Sequence, residues 1–477
     1  MSARRATFAL AVAGALACVA VLASAKPRHG DAPAAAELAS LQQPAGLWSA
    51  PASLSRCAAE GPARVVFPSN SPAHATGPGA IVWDGSAGCP GGAGARVTTV
   101  GAGEQPGASV IARTPAGRAL TAGGPLQASG APHGQVLIGA PSAPGAAGAA
   151  GGGALLIQGA AGGPFSTLTP AAGAGAPLAL ATAYLGDVAL AAPPAGQLRH
   201  GGQLRVQVER FFATHFGHSV AIDDVRAGPV QTLVATLDYR SEVLVAWTQG
   251  GAIYACLVPA DGAPRPVQRL ASAGSNTHLS ALLSDDRRGM VAWSEERDGA
   301  TDIYIDRSAV GVRFGEPELL ERFSAPDGLP APAASPTLVR LSSESVMLAW
   351  AGASSGHWVV RVAPVDLNGL GEVGTIAAGG ADALLADLAV GPLDDALVLW
   401  TEPSPGASGA PDMARQALYA AHGFNLYPPA RAVFGEAELV APPGAVSSPT
   451  VAFDPDTDDA LAVWQGEAGA IEYSIRK

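Results

Sequence analysis

The amino-acid sequence predicts an all-β repeat fold, and three observations carry that prediction. A short apolar run ending in Trp recurs along the chain: AIVWDG at Trp83, VLVAWTQG at Trp247, GMVAWSEE at Trp293, VMLAWAGA at Trp350, ALVLWTEP at Trp400 and ALAVWQGE at Trp464. The stretch Phe314-Gly315-Glu316-Pro317-Glu318-Leu319-Leu320 closely matches Phe434-Gly435-Glu436-Ala437-Glu438-Leu439-Val440, as two copies of one structural unit would. Beyond the N-terminal segment, no stretch keeps an apolar i, i+3, i+4, i+7 stripe over three turns, whereas alternation is common, as in Leu204-Arg205-Val206-Gln207-Val208-Glu209.

The N-terminus reads as a signal peptide over residues 1–25. Arg4 and Arg5 supply the positive start, Ala6 to Leu22 is apolar, and Ala23-Ser24-Ala25 gives the small-x-small pattern before Lys26. Retention as an uncleaved anchor and lipidation at Cys18 stay open as alternatives. Residues 26–46 are expected to be a flexible lead, and 47–477 a single domain. No later stretch is apolar enough to span a membrane, since Ala176 to Ala192 is interrupted by Gly186 and Asp187. The mature chain is therefore expected outside the cytoplasm, extracellular or in the cell envelope.

Composition agrees with a large folded core. Apolar residues make up 48%, and the 60 Gly and 40 Pro stay below the roughly 25–30% that marks disorder. A net charge of −12 argues against nucleic acid or anionic lipid as a partner. In an oxidising compartment Cys57 and Cys89 are the pair expected to form a disulfide, leaving Cys256 as a buried thiol.

Each repeat is read as four strands. Two runs without Trp, QVLIGAP around Ile138 and DVALAAP around Leu190, fit the same spacing and make eight occurrences about 46 to 64 residues apart, near the length of a propeller blade. A first strand precedes the Trp run, as in 231–237, 335–341 and 448–453, with a turn rich in Asp, Arg and Gly between, such as Ser284 to Gly289. A third strand carries Tyr254, Tyr304, Tyr419 or Tyr473, placing an aromatic opposite the Trp. The Phe314 and Phe434 stretches are read as fourth strands. The last repeat ends after its third strand at Lys477, and the unattached segment Leu47 to Leu54 resembles a fourth. If that segment completes the last blade, a β-propeller of eight four-stranded antiparallel blades closes without exposed edges, with seven blades as the alternative. The stretches 141–153 and 402–415 read as loop insertions.

Two adjacent units resemble FG-GAP repeats, the blade type of integrin α-chain propellers. VLIGAP (136–141) followed by GGALLIQGAAGG, and DVALAAPPAG (187–196) followed by GGQLRVQV and Phe216-Gly217-His218-Ser219, carry the likeness over about a fifth of the chain. The resemblance implies a propeller that binds partners. The calcium loop of that family is missing before both runs. The Trp-bearing units resemble the propeller repeats of secreted bacterial proteins.

Candidate chemistry is sparse. Asp454, Asp456 and Asp458 alternate as calcium-loop oxygens do, but no Gly occupies the turning position, and a hairpin filled with turn formers explains the run equally. His215 and His218 lie near Asp223 and Asp224, yet residues three apart on a strand point to opposite faces. Gly352 to Gly356 matches G-x-S-x-G beside His357, a string that works as a nucleophile only at a strand-to-helix turn. Ser294 to Thr301 resembles the Asp-box of sialidase propellers with the wrong spacing. Arg340 is the one Arg the pattern puts on a central strand, whereas sialidase-like sites need several. The expectation is a secreted, non-enzymatic binding or surface-interaction module for a protein or glycan, without a cofactor. A glycan-active, sialidase-like hydrolase or lyase is the alternative, and a calcium-dependent adhesin the third reading.

Overall fold

The computed structural model describes residues 48–477 except 68–76, 102–103, 123, 132–133, 142–154, 161–162, 169–176, 184–185, 194–203, 210–217, 223–227, 261, 311–312, 325–335, 342–344, 366–368, 377–381, 407–410 and 424–432. The expected signal peptide (1–25), lead (26–46) and Cys18 lie outside these residues, as does most of the 141–153 insertion. Ala45–Lys477 forms one compact unit.

Eight four-stranded antiparallel sheets follow one another along the chain. Their first strands are Arg64–Val66, Gln127–Ala131, Ala179–Thr182, Val230–Leu237, Ser275–Leu283, Thr337–Arg340, Leu384–Val390 and Ser447–Phe453, in blades 1 to 8. Each first strand touches those of the blades before and after it, and that of blade 8 touches that of blade 1. The ring is a β-propeller of eight blades. Blade 8 takes Ile471–Arg476 as its third strand, and the N-terminal strand Ala52–Ser55 pairs with it as the fourth. Trp48 bridges Arg476, and the Ser49 amide donates to the Ile475 carbonyl (2.8 Å), extending the closure.

The Trp runs are the second strands, and strand alternation explains their composition. In blade 4, Val243, Val245 and Trp247 pack toward blade 3 against Leu204 and Val206, while Leu244 and Ala246 pack toward blade 5 against Val291 and Trp293. A strand covered on both faces needs apolar residues at every position, so it reads as a continuous apolar run. Each recurrent Trp lies in the core shared with the preceding blade, and Trp83 lies in a core shared with Val463 and Ile471 of blade 8. Ring closure is thus made by the same contact as every other blade boundary.

Two expectations shift in register. Trp247–Tyr254, Trp293–Tyr304 and Trp400–Tyr419 stack with centroids 5.6, 5.4 and 5.9 Å apart. In blade 8 Tyr473 instead faces Val463, and Trp464 faces Glu472, whose Oε2 accepts the indole N–H (2.9 Å). The fourth strands begin at Glu318 and Glu438, later than Phe314 and Phe434. Those Phe residues form single bridges to Ser308 and Gly423, their rings close over Gly289 and Gly423, and the chain turns before joining the sheet. The 402–415 insertion is largely strand, because Ala396–Pro405 and Pro411–Gly423 extend as a long hairpin.

Candidate functional site

Each first strand is the edge of its sheet, paired on one side only, so its other edge carries backbone groups that need partners. Neighbouring blades supply some of them. The Leu338 amide donates to Ser280 Oγ (3.1 Å), the Val451 amide to Asp387 Oδ2 (2.9 Å), and Thr182 Oγ1 to the Gly130 carbonyl (2.8 Å). All eight first strands surround one cavity of about 480 Å³ on the ring axis, whose wall is mostly Leu, Val, Ala and Phe. Among the described residues Arg340 is its one charged lining side chain, and its guanidinium donates to Asp285 Oδ1 at 2.5 Å.

Strand register aligns the blades by height. Arg64, Gln127, Ala179, Val234, Ser280, Thr337, Asp387 and Thr450 each pair with the second-strand residue just before the Trp or its counterpart: Val82, Gly139, Ala191, Ala246, Ala292, Ala349, Leu399 and Val463. Six of these eight equivalent positions carry hydrogen-bonding side chains. The residues that follow in blades 1, 2, 5, 6 and 7 (Val65, Ala128, Ala281, Leu338 and Leu388) line the cavity. A polar belt therefore adjoins the cavity, and each of its six residues is at least partly exposed.

Asp387 is the only carboxylate on the eight first strands. Its Oδ2 accepts from Thr450 Oγ1 (2.8 Å) and the Val451 amide, and its Oδ1 from the Leu388 amide (2.9 Å). Burial raises its pKa above the ordinary carboxylate value. These hydrogen bonds and the charge of Arg64 work against that rise. Arg64 is exposed, and among the described residues its guanidinium makes no hydrogen bond. Sequence reading missed it, since Arg340 alone was placed on a central strand. In blades 4 to 7 the equivalent position lies thirteen before the Trp, but Arg64 lies nineteen before Trp83 because a longer segment intervenes.

The other sequence candidates do not converge on this site. Asp454 Oδ1 accepts the Asp456 amide (2.9 Å), the Asp458 amide returns to the Asp454 carbonyl (2.9 Å), and Asp456 is exposed. Asp458 is pushed up to about 6 by burial and by Asp395 of blade 7. Among the described residues, no three His, Cys, Asp or Glu groups converge as metal ligands. His215, Asp223 and Asp224 lie outside the described residues, and His218 is placed on the strand His218–Ile222 of blade 3. Ser354 is the last residue of a strand and pairs with His357 across a two-residue hairpin, Ser355-Gly356, with φ of 53° and 81°. His357 Nδ1 stands 3.6 Å from Asp382 Oδ1, which already accepts the Trp358 amide at 2.8 Å. The Ser294 to Thr301 run is likewise a hairpin, turning at Asp298-Gly299. Cys57 and Cys89 are joined in a disulfide, and Cys256 is a free buried thiol.

Much of the remaining acidity serves packing. Glu321, Glu402 and Glu472 accept the indole N–H groups of Trp350, Trp400 and Trp464 at 2.7, 3.0 and 2.9 Å. Asp395 and His422, both of blade 7, form a buried pair at 2.7 Å, with the imidazole against Phe453 of blade 8.

No protein-family model matches the chain, and no curated protein matches it. Solved structures do. A polysaccharide lyase described as an ulvan lyase is 11% identical, covering 71% of this chain and 89% of its own, with a TM-score of 0.39. An α-L-arabinanase of Penicillium chrysogenum complexed with arabinobiose is 9% identical, over 62% and 92%, with a TM-score of 0.33. A protein of unknown function from Dyadobacter fermentans is 12% identical, over 61% and 90%, with a TM-score of 0.33. At these values none of them bears on the chemistry of this chain.

Proposed function

We propose that this chain is an exported, non-enzymatic binding module that takes its ligand in the axial channel. One observation carries the reading. Six of the eight first strands bring hydrogen-bonding side chains to one level beside the axial cavity, but only one carboxylate, Asp387, with both oxygens already engaged. Two-carboxylate glycoside hydrolysis needs a second acid across the scissile bond, and the first strands supply none. Such a set binds a ligand without a general acid and base to turn it over. Export rests on the signal-type N-terminus and agrees with a Cys57–Cys89 disulfide, which persists in oxidising compartments.

The test is a glycan and protein-ligand array run beside a matched hydrolase and lyase screen. Binding without turnover is expected. Turnover that disappears in Asp387→Asn overturns the non-enzymatic reading. Repeating the array with a chelator is expected to leave binding unchanged, and loss of binding would favour a calcium-dependent adhesin instead.

A further inference from the structure

Resting on the channel-binding reading, we infer that the belt formed by Arg64, Gln127, Ser280, Thr337, Asp387 and Thr450 recognises a neutral, hydroxyl-rich ligand, a saccharide without acidic or amino groups. The inventory of the belt sets the class. Ser280, Thr337 and Gln127 can both donate and accept, Thr450, whose one O–H goes to Asp387, can only accept, Arg64 only donates, and the carboxylate form of Asp387 only accepts. A polyol matches that mixture, since each hydroxyl offers one donor and two acceptor sites.

Charge excludes the obvious competitors. Arg64 lies within electrostatic reach of Asp387, and on the cavity wall Arg340 is tied to Asp285. Among the described residues the two cations are each matched by an anion, which leaves no surplus of either sign among them. An anionic ligand placed on Arg64 meets Asp387, and a cationic ligand placed on Asp387 meets Arg64. A neutral hydroxyl suffers neither repulsion and gains charge-assisted hydrogen bonds from both. The adjoining wall offers apolar surface to the C–H faces of a sugar ring at Val65, Ala128 and Ala281, each one residue beyond the belt position and partly exposed. Its volume of about 480 Å³ lies within the range of small-ligand sites. Asp387 is already held by Thr450 and two amides, so it is positioned before a ligand arrives.

The experiment uses the full chain and calorimetric titration with neutral oligosaccharides, alongside uronate-bearing and amino-sugar oligosaccharides of the same length. Neutral members are expected to bind tightest, with affinity changing less than about twofold between low and high salt, because a neutral ligand has no charge to screen. Arg64→Gln and Asp387→Asn are each expected to weaken binding roughly 10- to 100-fold, the loss of a charge-assisted hydrogen bond. Arg64 is exposed without a described hydrogen bond, so its variant separates recognition from folding, and its melting temperature should match the wild type. Asp456→Asn, on the exposed turn, should bind as the wild type does. Preference for acidic or amino saccharides with steep salt dependence overturns the inference, as does wild-type affinity in Arg64→Gln. A non-saccharide ligand that Arg64→Gln releases would overturn the saccharide class while leaving the channel reading intact. A ligand indifferent to Arg64→Gln, Asp387→Asn and Arg340→Met would overturn both.

Discussion

A fully buried indole brings a polar N–H into an apolar boundary between blades, and several blades answer it with a carboxylate. In blade 7 the Trp400 indole N–H donates to Glu402 Oε1 at 3.0 Å, with both residues buried. Removing the acceptor strands the donor, so Glu402→Ala is expected to cost about 1–3 kcal/mol, whereas Glu402→Gln, which keeps an acceptor oxygen, should cost clearly less. Urea melts of the two variants check this, and equal losses would contradict it. Truncating the ring itself is more severe. Trp247→Ala is expected to destabilise by about 3–5 kcal/mol. The Trp positions were legible because a large residue at a fixed place in every repeat leaves a pattern. Their acceptors were not, because Gln249 and Glu402 come from the second strand, Glu472 from the third and Glu321 from the blade before.

Hairpins show where local sequence speaks and where it misleads. Asp298-Gly299 and Ser355-Gly356 are two-residue turns with both residues at positive φ, the geometry that suits strand twist and favours Gly at the second position. The G-x-S-x-G string is therefore the tip of a hairpin, with Ser354 paired to His357. Ser354→Ala is expected to change stability by less than about 0.5 kcal/mol, and a serine-directed fluorophosphonate probe should leave the wild type unlabelled. Covalent labelling at Ser354 would contradict the assignment. The Phe-Gly-Glu stretches were rightly read as equivalent, but placed in the strand itself. Whether a residue pairs with the sheet or turns onto a glycine depends on Gly289 and Gly423, which come from other strands.

At the scale of the whole molecule, the shifted carboxyls among the described residues add up in one direction. Asp84, Asp238, Asp306 and Asp458 are pushed up to about 6 and Glu209 to about 7, by burial first in every case. Glu295, Asp387 and Asp454 are also raised by burial. A carboxyl that holds its proton more tightly when folded adds stability that is full below its unfolded pKa near 4. That contribution is lost as pH rises through the folded value. Among the described residues, His278, lowered by burial, opposes this. The melting temperature is therefore expected to be higher at pH 5 than at pH 8, and a thermal melt series showing the reverse would contradict the account. The eight-bladed count and the closing strand were legible because repetition is a property of the chain. The polar belt was not, because it exists only when eight registers are aligned and Arg64 is counted from its own strand rather than from its Trp.

The channel, the belt and any ligand in them depend on the ring being closed by the N-terminal strand. Ser53 faces Glu472 across that seam, and antiparallel partners stand about 4.5–5.5 Å apart at Cα, within disulfide reach. The most direct measurement is oxidation of a Ser53→Cys, Glu472→Cys chain in a Cys256→Ser background, followed by peptide mapping. A 53–472 disulfide within a single chain is the predicted result. Free thiols at both positions, or a link between two chains, would contradict the closed ring.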